Sequence, residues 1–229
     1  MIVFDVDGTL IGGESTDWAS FGAAFEEVAG FALDERFFAS IEEVTAQAIV
    51  HQALAGLSLT EKQEKEHAVR HGYLRRLREA HESILSPFPA VEGALVLLRE
   101  LQKRGIPLAI ATGDWRETIS FKLQAAGIPI EGIPMVTSSD FYSRADIIAG
   151  AVTKAGRTLQ EAIYVGDGLW DLRACKRLGI PFIGVGHRRE KLREAGATYI
   201  LHDLNPTEFL QMRAAIKIPY LPPTDCVSN

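Results

Sequence analysis

Short apolar runs alternate with amphipathic stretches along most of this chain, and one long helical stretch interrupts the alternation. The opening MIVFDVDGTL predicts a short buried strand that ends at Asp5, followed by a polar loop containing Gly8. From Val91 onward, apolar strands such as IPLAIA and EAIYVG alternate with helices such as VEGALVLLRELQKRG. Repeated strand–helix units are typical of a parallel sheet with helices on both faces. The pattern therefore predicts an α/β fold.

Helical spacing of apolar residues continues from about Ser15 to Ser86. A first helix is predicted in STDWASFGAAFEEVAG, and a long amphipathic run follows in LDERFFASIEEVTAQAIVHQALAG. A third helix is predicted to begin at a capping box formed by Thr60 and Gln63. Its apolar stripe at helical spacing consists of Val69, Tyr73, Leu77, Ala80 and Ile84.

These patterns divide the chain into two domains. An α/β core of residues 1–13 and 87–229 is predicted to be interrupted by a helical domain of residues 14–86. The segments LIGGE (10–14) and SPFPA (86–90) are the expected hinges. The Pro-rich tail KIPYLPPTDCVSN is expected to be loose.

The composition of the chain argues against several classes of binding partner. The chain has 229 residues, is 47% hydrophobic and carries a net charge of -6, which gives no support to nucleic-acid or membrane binding. Its two cysteines, Cys175 and Cys226, are far apart, so we expect neither a disulfide framework nor a zinc site, and a reducing cytoplasmic location. No apolar run has the roughly 18 to 20 residues of a membrane helix, and the N-terminus does not resemble a signal peptide. The oligomeric state stays open.

Acidic residues recur where predicted strands end. They occur in DVDGT (5–9), ATGD (111–114) and GDGLWD (166–171), and SRAD (143–146) opens the helix after another strand. Ligands of open α/β sheets bind at the carboxyl ends of the strands, so these segments are expected to meet at one edge. The crowded carboxylates, whose repulsion requires a compensating cation, are Asp5, Asp7, Asp167 and Asp171. Mg²⁺ suits carboxylates together with substrate phosphate, so the sequence predicts a magnesium site.

Each segment alone has a simpler interpretation. DVDGT could be only a turn, and GDGLWD could be only a capped helix start. An EF-hand loop is excluded because its required Gly and Glu positions hold Leu10 and Thr16. A functional site is therefore indicated by the order and spacing of the segments together, rather than by any single segment.

Together, FDVDGTL, IATGD, a basic residue about twenty positions before the last motif, and YVGDGLWD resemble the four motifs of the haloacid dehalogenase-like (HAD) hydrolase superfamily. The helical insertion resembles the type-1 cap of that superfamily, and the resemblance covers nearly the whole chain. It implies a Rossmann-like core with a central parallel sheet and an inserted α-helical cap domain at residues 14–86. The cap would close over the site, exclude water and choose the substrate.

The resemblance also implies catalytic roles. Asp5 would be the nucleophile that forms an aspartyl-phosphate, and Asp7 would protonate the leaving group and then activate water. Thr112 and the backbone amide of Gly113 would bind a phosphoryl oxygen.

The metal would be Mg²⁺, bound by Asp167 together with the Asp5 carboxylate and the Asp7 carbonyl, with support from Asp171. The third motif departs from the family, because Arg144 stands where lysine is usual. Lys122 is the alternative cation, and is otherwise expected to be an ordinary surface lysine.

The resemblance implies a Mg²⁺-dependent phosphatase acting on a small soluble phosphomonoester, of the phosphoglycolate-phosphatase-like kind. An acid at Asp7 argues against haloalkanoate dehalogenases and membrane pumps. Two alternatives stay open: a phosphomutase of the beta-phosphoglucomutase type, and a non-catalytic phosphate-binding module. Trp18, Trp115 and Trp170 lie near the motifs, where they could line the leaving-group site, although packing roles are favoured.

Overall fold

A six-stranded parallel sheet forms the centre of the computed structural model, which describes residues 1–216. The strand order is β3-β2-β1-β4-β5-β6. The strands are β1 (Ile2–Phe4), β2 (Leu108–Ala111), β3 (Met135–Val136), β4 (Ile163–Gly166), β5 (Phe182–Gly184) and β6 (Tyr199–Ile200). This order is that of a doubly wound Rossmann-like sheet, whose direction of progression switches between β1 and β4. The α/β prediction is confirmed.

Helices connect these strands and also form the long insertion after β1. They are α1 (Glu14–Ala29), α2 (Glu35–Ser40), α3 (Ala46–Ala53), α4 (Leu59–Ser83), α5 (Ala94–Lys103), α6 (Arg116–Ala125), α7 (Arg144–Lys154), α8 (Leu169–Leu178), α9 (Arg189–Glu194) and α10 (Pro206–Ala215). A short 3₁₀ helix covers Leu159–Glu161.

Both faces of the sheet are buried, which is why its strands are apolar at every position. In β1, Ile2 and Phe4 belong to the hydrophobic cluster on one face, and Val3 belongs to the cluster on the other. Val3 pairs in parallel with Ala109 of β2 and with Tyr164 of β4. The strand that ends at the first acidic pair is therefore held rigidly in the middle of the sheet.

A third hydrophobic cluster lies among α1, α3 and α4. Val69, Tyr73 and Leu77 of the predicted stripe are buried, whereas Ile84 is 46% exposed. Phe88 and Trp115, which lie outside residues 14–86, complete this cluster. Whether residues 14–86 form a separate domain stays a prediction.

Two local predictions in this segment are wrong. The long amphipathic run is not one helix, because the Thr45 side chain accepts a hydrogen bond from the amide of Ala48 and starts α3 separately from α2. The capping box of α4 is formed by Ser58 and Glu61, two residues before the predicted pair. The Pro-rich tail from Lys217 onward, including Cys226, lies outside the described residues.

Candidate active site

The predicted phosphate-binding and acid–base residues surround one cavity at the carboxyl ends of the strands. The cavity has a volume of about 80 Å³, and its lining includes Asp5, Asp7, Thr112, Gly113 and Arg144. The loop after β1 supplies the first two, the loop after β2 supplies the next two, and α7 begins with the arginine. The parallel topology thus brings together segments that lie more than 100 residues apart.

Asp5 is buried against the arginine of the third motif. Nη1 of Arg144 donates to Oδ1 of Asp5 over 3.1 Å, and Nη2 donates to the carbonyl of Val44 over 3.2 Å. Burial raises the pKa of Asp5, and the guanidinium opposes that rise. The structure therefore places Arg144, rather than Lys122, against the predicted nucleophile.

A glycine makes this approach possible. A Cβ atom on Gly113 would lie 2.5 Å from Nη2 of Arg144, so any side chain there would displace the guanidinium from this position. Ser143 starts α7 as predicted, because its side chain accepts from the amide of Asp146 over 3.1 Å. The backbone amide of Arg144 also donates to Oε2 of Glu43 over 3.1 Å. Both the loop after β2 and the start of α7 are thus shaped to aim the guanidinium at Asp5.

Three carboxylates form a cluster beside the cavity. Asp5, Asp167 and Asp171 each offer an oxygen, and these oxygens lie within 4.8 Å of one another. Asp167 is fully buried, and its Oδ1 has no hydrogen-bond partner among the described residues. Hard oxygen ligands with an unsatisfied buried acceptor fit a divalent cation such as Mg²⁺.

Both carboxylate oxygens of Asp171 accept hydrogen bonds, unlike Oδ1 of Asp167 among residues 1–216. It accepts from the amide of Gly168 over 3.1 Å and from the hydroxyl of Tyr164 over 3.3 Å. Burial raises its pKa to about 7, although Arg144 opposes the rise with Nε 3.4 Å from Oδ1. This carboxyl group is therefore fixed in orientation before any metal binds.

Two glycines leave room for these carboxylates. A Cβ atom on Gly8, whose φ is +78°, would lie 2.4 Å from Oδ2 of Asp167. A Cβ atom on Gly166 would lie 2.5 Å from Oδ2 of Asp171. The glycines of DVDGT and GDGLWD thus serve the close approach of the loops as well as the turns.

Lys122 is not a surface lysine, so that expectation is wrong. Its side chain is fully buried, and Nζ lies 2.7 Å from Oδ1 of Asp7, 2.5 Å from Oδ1 of Asp17 and 2.9 Å from Oδ2 of Asp114. Burial alone would lower its pKa, but the surrounding carboxylates raise it well above the usual value. Its spacing from Ile119 and Leu123 on the buried face of α6 was the available signal.

Asp7 points away from the carboxylate cluster and toward Lys122. Burial raises the pKa of Asp7 well above its usual value, against the opposing ammonium, and the carboxylates of Asp17 and Asp114 add to the rise. Its side chain retains 26% exposure toward the cavity. The metal contact assigned to the carbonyl of Asp7 stays a prediction.

Sequence reasoning missed Arg188, in the loop after β5. Its Nη1 is paired with Oδ2 of Asp167, and its Cζ lies 5.3 Å from the ring centroid of Trp170. Burial raises the pKa of Asp167 well above its usual value, and Arg188 opposes that rise. The segment GVGHRR lies after the last of the four motifs, so its basic pair was assigned no role from the sequence.

One of the three tryptophans packs in the protein interior, and the other two line the cavity. Trp115 is fully buried and donates from Nε1 to Oε1 of Glu66 over 3.1 Å. Trp18 and Trp170 line the cavity, together with Phe21. The favoured packing role thus holds for Trp115 but describes the other two only in part.

Comparison with known proteins agrees with this geometry. The sequence model of the family described as haloacid dehalogenase-like hydrolase matches residues 2–185. A phosphoglycolate phosphatase from Synechococcus elongatus is 25% identical over 216 residues, which cover 92% of this chain and 95% of the relative.

Solved structures share the fold. A hydrolase from Pseudomonas syringae has a TM-score of 0.74 at 23% identity, covering 94% of this chain and 98% of that one. A beta-phosphoglucomutase from Clostridium difficile has a TM-score of 0.73 at 16% identity, covering 93% and 95%. No helix in the described part of the chain is long and apolar enough to span a membrane.

Proposed function

Because the chain belongs to the haloacid dehalogenase-like hydrolase family, we propose that it is a phosphatase that hydrolyses small phosphomonoesters through an aspartyl-phosphate on Asp5. The observation that carries this proposal is the position of Asp5. Its carboxylate lines the cavity, 3.1 Å from Nη1 of Arg144, and belongs to a cluster with the carboxylates of Asp167 and Asp171.

The first step forms a bond between a carboxylate oxygen of Asp5 and phosphorus while the bond from phosphorus to the leaving oxygen breaks. Asp7 gives its proton to that oxygen, which suits a carboxyl group whose pKa is raised by burial. In the second step water attacks phosphorus, Asp7 takes a proton from the water, and Asp5 is released. Water is the only co-substrate, and the phosphoryl group leaves as inorganic phosphate.

The phosphoryl oxygens would be bound by chain residues around the nucleophile. Arg144 offers a permanent cation with several donors, and Thr112 and Gly113 lie in the same lining. Asp5, Asp167 and Asp171 would hold Mg²⁺, with the carbonyl of Asp7. When bound, the cation would neutralise the crowded carboxylates and the phosphoryl charge.

The rest of the cavity indicates the kind of leaving group. Residues 14–86 contribute Glu14 and Asp17 to the lining, together with the apolar side chains of Trp18, Phe21 and Ile49, and they contribute no basic side chain. A second groove shares Trp18, Trp170 and Arg188 with the cavity, and most of its other lining residues are apolar. Because the guanidinium of Arg188 is already paired with Asp167, this lining favours an uncharged leaving group with an apolar face over a carboxylate.

A direct assay tests the proposed activity. The full-length protein is incubated with 4-nitrophenyl phosphate in Mg²⁺ and, separately, in EDTA. We expect turnover that requires the metal and falls at least about a thousandfold in Asp5→Asn. Val96→Ala, an exposed position on α5, is the matched control and should keep full activity.

The same assay separates the alternatives. No turnover of any phosphoester in Mg²⁺ by the folded wild-type protein would contradict the phosphatase and favour a phosphate-binding module. Turnover that passes the phosphoryl group to a sugar phosphate rather than to water would favour a phosphomutase. Acid quenching during turnover should trap a hydroxylamine-sensitive phosphoprotein in the wild type and none in Asp5→Asn.

A pair of esters of similar size tests the leaving group. 2-Hydroxyethyl phosphate and phosphoglycolate differ mainly in the carboxylate. We expect the neutral ester to have a kcat/KM about tenfold or more above that of phosphoglycolate at low ionic strength, because residues 14–86 offer the carboxylate no cation and place Glu14 in the lining. A preference for phosphoglycolate would contradict this assignment and leave the phosphatase proposal standing.

A further inference from the structure

A buried polar cluster joins the helical segment of residues 14–86 to the acid–base residue. Its centre is Nζ of Lys122, which contacts Asp7, Asp17 and Asp114 at 2.5 to 2.9 Å. The hydroxyl of Tyr73 lies 3.2 Å from the same nitrogen and donates to Oδ1 of Asp17. The cluster is separate from the three carboxylates that would hold the metal.

The ammonium has no hydrogen left for substrate. A lysine ammonium carries three donors, and Nζ donates to Oδ1 of Asp7 over 2.7 Å, to Oδ1 of Asp17 over 2.5 Å and to the hydroxyl of Tyr73 over 3.2 Å. The Tyr73 hydroxyl in turn donates to Oδ1 of Asp17, and Oδ2 of Asp114 completes the surroundings of Nζ as an ion-pair partner at 2.9 Å. Lys122 is therefore placed to hold other side chains rather than to bind a phosphoryl group.

The partners of Lys122 come from both parts of the chain. Asp7 and Asp114 follow β1 and β2, whereas Asp17 lies on α1 and Tyr73 on α4. A buried ammonium is stable only with such partners, because an unpaired charge in the interior costs several kcal/mol. Movement of α1 and α4 away from the sheet would remove one of the three carboxylates and alter where the ammonium sits.

We propose that Lys122 is a positioning residue that holds Asp7 in place for proton transfer, and that Asp17 and Tyr73 make this position depend on the packing of α1 and α4. The inference rests on the proposed function, since it gives Asp7 the role of proton donor to the leaving oxygen. It assigns a task to a lysine that lies outside the motifs of the sequence.

The dependence on leaving group distinguishes positioning from general structural support. A 4-nitrophenolate departs readily without a proton, whereas an alkoxide needs one in the transition state. A variant with misplaced Asp7 should therefore lose more activity on an alkyl ester than on the aryl ester. A variant that is merely less stable should lose activity on both to the same extent.

The experiment compares kcat for 2-hydroxyethyl phosphate and 4-nitrophenyl phosphate in the full-length protein with Mg²⁺. We expect Lys122→Met to lower the alkyl-to-aryl ratio of kcat by about tenfold to a hundredfold. Asp17→Asn keeps the lysine and removes only the carboxylate of α1, so we expect a smaller fall, about threefold, in the same direction. Val96→Ala should leave the ratio unchanged.

The possible results separate failure of the positioning role from failure of the proposed phosphatase activity. An unchanged ratio in folded Lys122→Met, with activity on both esters reduced alike, overturns the positioning role while the phosphatase stands. If circular dichroism shows that Lys122→Met does not fold, the ratio in Asp17→Asn decides, and no fall there overturns the proposal. Absence of turnover by the wild type instead overturns the proposed function on which the inference rests.

Discussion

At the scale of single residues, Asp171 shows most directly how burial and charge oppose each other in this site. It is fully buried, faces the guanidinium of Arg144 and the carboxylate of Asp5, and has a pKa raised to about 7. The motifs place the residue correctly beside Asp5, since the ends of parallel strands converge. They do not reveal that Lys122 and Arg188 supply the neighbouring cations, because those contacts depend on helix packing and on the loop after β5.

Asp171→Asn is expected to change how stability depends on pH. A carboxyl group with a raised folded-state pKa holds its proton more tightly in the folded state, so its contribution to stability falls as pH rises from about 4 through about 7. The difference between the usual 3.8 and about 7 corresponds to at most roughly 4 kcal/mol.

Urea unfolding in EDTA at several pH values measures this effect. The free energy of unfolding of Asp171→Asn, minus that of the wild type, should rise between pH 4 and pH 8. Loss of the hydrogen bonds of the aspartate shifts all points alike and does not create a slope. A difference that stays constant across this range would contradict the raised pKa.

At the scale of elements, helix ends were the least predictable feature. The sequence offers two candidate capping boxes at the start of α4, Ser58 with Glu61 and Thr60 with Gln63, and both satisfy the same pattern. The structure uses the first, with the amide of Ser58 donating to Oε2 of Glu61 over 2.9 Å. The core strands were predicted well because their burial on both faces leaves a continuous apolar pattern, whereas a cap depends on one hydrogen bond.

Alanine substitutions at the two candidate positions compare them. Ser58→Ala should lower the free energy of unfolding by about 1 kcal/mol, because it removes the acceptor for the amide of Glu61. Thr60→Ala, already inside the helix, is the matched control and should change it by less than about 0.5 kcal/mol. Equilibrium unfolding in urea gives both values, and a larger loss in Thr60→Ala would reverse the assignment.

At the scale of the whole molecule, the helical segment and the α/β core share hydrophobic packing. Trp115 and Phe88 belong to the core part of the chain, yet both are buried in the cluster of α1, α3 and α4. Trp115 stacks on Phe21 with ring centroids 5.9 Å apart. The sequence indicated an insertion. It did not indicate that Phe88 and Trp115 pack into the cluster of the inserted helices, because contacts between distant segments leave no local pattern.

This sharing predicts cooperative unfolding. The wild-type protein should show one transition in urea, with near-ultraviolet and far-ultraviolet circular dichroism coinciding, because exposing the cluster exposes core residues as well. Trp115→Ala should destabilise the protein by about 3 to 5 kcal/mol. Two separated transitions in the wild type would show that residues 14–86 unfold independently.

Because Lys122 is buried beneath α1 and α4, its chemical modification can report on the movement of these helices in solution. An acylating reagent can modify an amine only when it can reach it, and the walls around this amine include Asp17 of α1 and Tyr73 of α4. The rate of acylation at Lys122, measured by mass spectrometry relative to that at the exposed Lys103, would therefore report how frequently these helices move away from the sheet. A phosphate mimic that favours the closed arrangement should slow modification at the buried lysine and leave the exposed one unaffected.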